Sequence, residues 1–476
     1  MRPHTIPEVA ATVHGELLGP RASGDLRVRG VAIDSRTVQS DDLFVAIAGE
    51  HTDGHRHVHE AFSRGASAAL VSSAPMPEWS GPVVRVSDTV TGLSALAAAE
   101  RRHMDAVVIG VTGSTGKTCT KDFIAAVLGP RFRTAANPAS FNNEVGLPFT
   151  LLSAPDDVQA VVCEMGARGA GHIRWLCDIA RPRIGVLTNV GVAHMELFGS
   201  RDAIAAAKAE LVEALPDDGL AVLNGDDAVV GGFASRTRAR VLTYGRAAGA
   251  DVRAANVSLD GRASARFDLI TPEKTARVEL AVAGEHMVAN ALAAATVGWA
   301  LGVDADAAAA ALRDARVSAG RMELFDRADG VTVLDDAYNA NPTSVAAALE
   351  AARSVAGDRR WVAVLGEMAE LGPIAQQEHE RVGELLAADG AGVLVAVGPW
   401  GSVIAAAAER GGMVPDHIVV SADVEEAARI VPTLIRADDV VLVKASRAVG
   451  LERVVRALLG RSATNGGPDV VVEESS

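Results

Sequence analysis

Short apolar runs alternate with alanine-rich helical stretches along nearly all of this 476-residue chain. That alternation leaves few folds open. A strand apolar along its whole length needs cover on both faces, and the helix after each strand supplies it, as in α/β folds with largely parallel sheets. At roughly 100–200 residues per domain, the length predicts about three such units. Residues 1–105 hold short strands at 43–47, 68–71 and 83–86 and close with a helix over 91–103. Residues 106–317 open with a strand at 106–111, a glycine turn and a helix over 117–128. Strands at 160–164, 184–190 and 221–224 follow, then a polar β-like stretch (250–283) and an alanine-rich helix from His286. In residues 318–461, strands at 331–335, 361–365, 392–397 and 440–443 alternate with helices in a Rossmann-like arrangement. The tail, 462–476, opens Ser-Ala-Thr-Asn-Gly-Gly-Pro, ends Glu-Glu-Ser-Ser and reads as disordered.

Composition narrows the function. A formal net charge of −15 argues against non-specific binding to nucleic acid or a membrane surface. Three cysteines (Cys119, Cys163, Cys177) are odd in number and lack metal-ligand spacing, which fits free thiols in a reducing cytoplasm. No stretch approaches the roughly 20 apolar residues of a membrane span, and the first residues lack the apolar core of a signal peptide. Of the 45 basic residues only five are lysines, at 117, 121, 208, 274 and 444. Each is worth locating.

The strongest local signal is an apolar strand running through Gly113-Ser-Thr-Gly-Lys-Thr118 into a helix. Glycines let backbone wrap a phosphate, and a helix N-terminus presents oriented N–H donors. Lys117 would reach the β/γ-phosphates and the Thr118 hydroxyl would ligate Mg²⁺. The spacing departs from the general P-loop, since Val111 stands where its first glycine belongs. Glu164 ends the apolar strand 160–164, where a carboxylate can sit beside a metal and a triphosphate. His194 occupies a comparable strand-end loop and reads equally as a surface histidine or a site residue. Lys208 falls on the apolar stripe of Ile204, Leu211 and Leu215, in a helix that Ser200 would cap. It either snorkels to solvent or is a partly buried amine with altered charge, and the residues alone leave both open. Asp335-Asp-Ala-Tyr-Asn-Ala-Asn-Pro-Thr-Ser344 is dense in hydrogen-bonding groups, though an Asx-rich capping turn would look the same. Arg321 and the strand-end segment Lys444-Ala-Ser-Arg447 offer cations to an anionic substrate.

Taken in order, these segments resemble the Mur ligases of peptidoglycan synthesis, from about residue 31 to 459. The 335–344 segment points within that family to the type that adds D-alanyl-D-alanine to UDP-N-acetylmuramoyl-tripeptide. Phe141-Asn-Asn-Glu-Val-Gly-Leu-Pro148 and Leu365-Gly-Glu-Met-Ala-Glu-Leu-Gly372 are also family-like. The resemblance implies an N-terminal UDP-sugar-binding α/β domain (1–105), with Ser35, Arg36, Asp53 and His55 as contacts. It implies a central P-loop ATPase domain (106–317) and a C-terminal Rossmann-like ligase domain (318–461). ATP would be held by Gly113, Ser114, Thr115, Gly116, Lys117, Thr118, Asn290, Arg321 and Asp336. Two Mg²⁺ ions would be held by Thr118, Glu164, His194 and a CO₂-derived carbamate on Lys208, with Lys117, His194 and Lys208 catalytic. Asn142, Asn143, Tyr338, Asn339, Asn341, Lys444, Ser446 and Arg447 would face the peptide substrates. The expected protein is a cytoplasmic monomer that makes an amide through an acyl phosphate. Met287, Ala319 and Ala445 depart from residues usual in the family. The other readings are a different Mur- or folylpolyglutamate-type amide ligase, against which the 335–344 segment argues, and a P-loop protein that hydrolyses nucleotide without ligation.

Overall fold

The structure, a computed structural model, describes residues 1–19, 26–49, 52–138 and 140–460; the tail expected to be disordered lies outside them. Three sheets dominate the described residues, one in each compositional block. The first has five strands in the order Glu16–Leu18, Val83–Arg85, Ala68–Val71, Asp42–Val45 and Gly30–Ala32, parallel except for the Glu16–Leu18 edge. Ala68–Val71 is buried at every position, and it reads from sequence as the uninterrupted apolar run that a two-sided strand needs.

The central sheet has nine strands, and Val107–Thr112 lies inside it between Ala160–Glu164 and Ile184–Leu187. From Val107–Thr112 the chain moves out to Thr134–Ala136, returns through Ala160–Glu164, then crosses to Ile184–Leu187, Leu220–Asn224 and Arg240–Gly245. The reversal of direction beside Val107–Thr112 opens a crevice at the carboxyl ends of the strands, the place where such sheets bind ligands. The polar stretch read as β-like resolves into Val252–Leu259, Ser264–Ile270 and Thr275–Ala283, joined as antiparallel neighbours at the far edge.

The third sheet runs Glu323–Asp326, Thr332–Asp335, Val440–Lys444, Trp361–Leu365, Val393–Val397 and Ile418–Ser421, parallel apart from its first strand. Helices cover both faces of the central sheet. Lys117–Leu128 and Met287–Ala300 pack on one face, in an apolar core that continues to Leu334 and Leu349 of the third block. Leu147, Ile173 and Leu211 line the other face, in a core that continues to Val31, Leu70 and Leu93 of the first block.

One expected strand is shorter than its apolar run. The strand foreseen at 184–190 ends at Leu187, because Thr188 and Asn189 leave the sheet to hold the glycine turn described below. Several short strands carried too little pattern to be foreseen, among them Glu16–Leu18, Thr134–Ala136 and Ile418–Ser421. Among the described residues, no helix is long and apolar enough to cross a membrane.

Candidate active site

The turn after Val107–Thr112 cannot carry ordinary side chains. A Cβ at Gly113 would lie 1.8 Å from the Thr188 hydroxyl, and one at Gly116 would lie 2.5 Å from Asn290 Oδ1. Gly116 also has φ of +77°, a left-handed conformation that suits glycine. Thr188 and Asn189 tie down the loop between them. Thr188 donates to the Thr115 carbonyl at 2.6 Å, the Thr115 N–H donates to Asn189 Oδ1 at 3.0 Å, and Asn189 Nδ2 donates to Thr115 Oγ1 at 2.6 Å. The Gly191 N–H donates to Ser114 Oγ at 2.8 Å. The loop's shape is therefore fixed by protein hydrogen bonds, at the N-terminus of helix Lys117–Leu128.

That loop lines a cavity of about 290 Å³ shared by the central and C-terminal sheets. Ser114, Thr115, Gly116, Lys117, Thr118, Asn142, Asn143, Glu164, His194 and Asn290 reach it from the central block. Arg321, Asp336, Tyr338, Asn339, Asn341 and Lys444 reach it from the C-terminal one. Thr118 donates to Glu164 Oε2 at 2.7 Å, and Asn142 Nδ2 donates to Glu164 Oε1 at 2.8 Å. Glu164 is 1% exposed, so a carboxylate and a hydroxyl meet in a nearly dry place beside the 113–118 loop. The Asn143 side chain accepts from the Val145 and Gly146 N–H groups just where the next helix begins. His194 pairs through Nδ1 with Glu370, which holds that carboxyl below the usual carboxylate range.

Lys208 lies on helix Arg201–Glu213, capped by Ser200 as the sequence predicts. It is 3% exposed and does not snorkel. Burial, aided by the charge of Lys117, pushes its ammonium down to about 7.

On the C-terminal side, Lys444 Nζ donates to Asp336 Oδ2 at 2.6 Å and to the Asn339 carbonyl at 2.8 Å. Arg321 stacks 4.1 Å from the Tyr338 ring centroid and donates to Ser140 Oγ at 2.7 Å, linking the two blocks. Asn341 is both a lining residue and the N-cap of helix Pro342–Ala356, so the capping-turn reading of its segment also holds. The Lys444–Asp336 pair makes a stability prediction. Its side chains are 2% and 12% exposed, so Asp336→Ala leaves a buried cation without its carboxylate and is expected to cost about 3–5 kcal/mol in urea unfolding. The apolar double variant Asp336→Leu/Lys444→Met should regain most of that loss.

Other expected site residues lie away from the cavity. The Ser446 hydroxyl accepts from the Ala369 N–H at 2.8 Å and faces the Ala340 carbonyl at 3.4 Å, so it knits loops together. Arg447 is exposed, 5.5 Å from the Tyr338 ring centroid. In the first block, Asp34 pairs with Arg36 at 2.6 Å and Ser35 donates to Glu60 at 2.8 Å. Asp53 accepts from His55 Nδ1 at 2.6 Å, while His55 Nε2 accepts from the Ser72 N–H at 2.9 Å. The three cysteines are free and buried. Burial pushes the Cys119 and Cys163 thiols up to about 12, which makes them poor nucleophiles.

Two of the three departures find a local reason. Met287 Sδ accepts the Asn290 amide at 3.5 Å. The buried Ala445 methyl occupies space that Gly366 leaves open, since a Cβ at 366 would approach it to 2.9 Å. Ala319 is exposed, and nothing around it explains the change. Residues not foreseen as functional are Thr188, Asn189, Ser140 and Glu370. Polar residues ending the apolar 184–187 run were the signal for the first two, and Glu370 lies in a segment already family-like.

Three family models match the chain: "Mur ligase family, catalytic domain" over residues 27–101, "Mur ligase middle domain" over 111–298, and "Mur ligase, glutamate ligase domain" over 320–447. The UDP-N-acetylmuramoyl-tripeptide–D-alanyl-D-alanine ligase of Mycobacterium tuberculosis is 41% identical over 496 residues, spanning 96% of this chain and 97% of its own. A crystal structure of MurF from Acinetobacter baumannii superposes with a TM-score of 0.84 at 30% identity, covering 97% of this chain and 100% of that one. The MurF ligase of Thermotoga maritima, solved in complex with ADP, superposes with a TM-score of 0.77 at 30% identity, over 90% and 97% of the two chains.

Proposed function

Because the chain belongs to the Mur ligase family, we infer that it is an ATP-dependent ligase joining D-alanyl-D-alanine to UDP-N-acetylmuramoyl-tripeptide. The product is the UDP-linked pentapeptide precursor of peptidoglycan. One observation carries the reading: a single cavity is lined by the phosphate loop of the central block and by Tyr338, Asn339 and Lys444 of the C-terminal block. A nucleotide-hydrolysing switch has no use for that second wall.

A carboxylate is a poor electrophile. The tripeptide's terminal carboxylate oxygen attacks the γ-phosphorus of ATP, ADP leaves, and an acyl phosphate forms. The D-alanyl-D-alanine amine then attacks the acyl carbon, loses a proton and expels inorganic phosphate. Bringing anionic carboxylate to anionic triphosphate requires positive charge and oriented donors. The 113–118 loop and Lys117 supply them for the phosphates, with Arg321 across the cavity. Asn290, beside Gly116, and Asp336 are read as nucleotide contacts. Asn142, Asn143, Asn341, Ser446 and Arg447 are read as groups that hold or shape the peptide side.

The residues present fit Mg²⁺. Among the described residues, no cluster of three or more His, Cys, Asp or Glu stands ready to hold a metal alone. The Thr118–Glu164 pair instead offers two hard oxygens beside a phosphate site, the partial shell that Mg²⁺ takes when phosphates complete it. Bound there, Mg²⁺ supplies charge neutralisation to the phosphates. His194, which also lines the cavity, is read with Thr118 and Glu164 as a holder of Mg²⁺, and a carbamate on Lys208, buried but not among the lining residues, as a holder of a second ion. An amine depressed to about 7 has a substantial neutral fraction near physiological pH, and the neutral amine reacts with CO₂, losing a proton, to give a carbamate anion. The first block, with Ser35, Arg36, Asp53 and His55, is read as the UDP-sugar domain, within the limits 1–105, 106–317 and 318–461. The enzyme is read as a cytoplasmic monomer.

Phosphate release in the full chain tests this function. It is expected only when ATP, UDP-N-acetylmuramoyl-tripeptide and D-alanyl-D-alanine are all present, with the amide product seen by mass spectrometry. ATP hydrolysis that runs equally well without either acceptor would overturn the ligase reading.

A further inference from the structure

Two loops from different sheets interlock at the mouth of the cavity. His194 follows the central strand Ile184–Leu187, and Glu370 follows the C-terminal strand Trp361–Leu365. The His194 ring nitrogen Nδ1 meets the Glu370 carboxylate. The backbone repeats the contact, since the Glu196 N–H donates to the Glu370 carbonyl at 3.0 Å. Gly372 packs so tightly that a Cβ there would lie 3.0 Å from Glu196 Cα. Both facing residues hold left-handed backbone, with φ of +63° at His194 and +59° at Glu370. Such conformations are unfavourable for residues with a side chain and persist where surroundings enforce them.

The pair is a weak source of stability. Its side chains are 30% and 40% exposed, and ion pairs so open to water contribute little. Its effect on the imidazole is more definite. A ring whose Nδ1–H donates to a carboxylate carries its lone pair on Nε2, the tautomer and orientation a metal-binding histidine needs. We propose that Glu370 is a positioning residue that fixes His194 as a metal ligand, so that docking of the C-terminal domain prepares the metal site of the central one. This rests on the reading of His194 as a ligand.

The test counts Mn²⁺ bound to the full-length enzyme with a non-hydrolysable ATP analogue, by electron paramagnetic resonance, and includes His194→Ala to define the His194-dependent site. Glu370→Ala is expected to weaken that site about 10–100-fold while the remaining Mn²⁺ binds as before. Glu370→Gln keeps an acceptor oxygen and should restore affinity to within about threefold of wild type. In turnover, kcat should fall in Glu370→Ala with KM for D-alanyl-D-alanine unchanged. If His194→Ala leaves Mn²⁺ binding intact, the ligand reading fails and the proposal with it. If His194→Ala removes a site that Glu370→Ala leaves at full affinity, or if glutamine is as damaging as alanine, the proposal alone is overturned.

Discussion

Lys117→Ala is expected to lower ligation by at least about 10³-fold, the scale seen when a preorganised charge at a transferring phosphoryl group is removed. Lys117 is the first residue of helix Lys117–Leu128, directly after a loop that Thr188 and Asn189 already hold in place. Alanine keeps the helix start and the glycine geometry but deletes the charge. The fold should survive, because Lys117 is only partly buried and alanine is a good helix former at its position. Lys117→Arg should remain strongly impaired, since a broad planar fork replaces a compact ammonium. Phosphate release at saturating substrates, with thermal unfolding as the control for folding, checks both variants. Turnover of Lys117→Ala at the wild-type rate would dismiss the phosphate-loop reading.

Lys208→Ala should lose about 10²-fold or more in activity, by analogy with losses at groups that support metal sites. Short carboxylates such as formate or acetate should return part of it by standing in for the carbamate. The variant is also expected to fold at least as well as wild type, because it removes a buried amine from an apolar helix face. The pH dependence has a definite sign. An amine depressed to about 7 becomes more neutral as pH rises through that value, and only the neutral amine takes up CO₂. Labelled CO₂ bound by the wild type should therefore increase from about pH 6 to about pH 8, and Lys208→Ala should bind none. Full activity in the alanine variant would discard the carbamate.

Much of this arrangement was legible because parallel strands are buried on both faces and leave uninterrupted apolar runs, as in Ala160–Glu164 and Trp361–Leu365. The glycine turn and the helix start after it were legible because their signal is local: Gly113, Gly116, Lys117 and Thr118 are neighbours in sequence. Strands such as Thr134–Ala136 and Ile418–Ser421 escaped because they are short and only partly buried. Glu370 escaped for a different reason. Its partner His194 is 176 residues away, and no local pattern announces a hydrogen bond between two loops. Lys208 lies between these cases. Its place on an apolar stripe was visible, but snorkelling and burial give the same spacing, and packing of the whole helix decides between them.

The bonds of Ser446 carry a consequence for inhibition. Its hydroxyl accepts from Ala369 and faces Ala340, and its own N–H donates to the Glu367 carbonyl at 2.8 Å. Three loops, carrying Glu370, Asp336 and Lys444, are thus stitched into one plate. A plate moves as a piece. Displacing it from the central sheet would break the His194–Glu370 contact and carry Asp336 and Lys444 out of the shared cavity together. A ligand that separates the two sheets is therefore expected to inhibit, and the check is loss of ligation without competition against ATP.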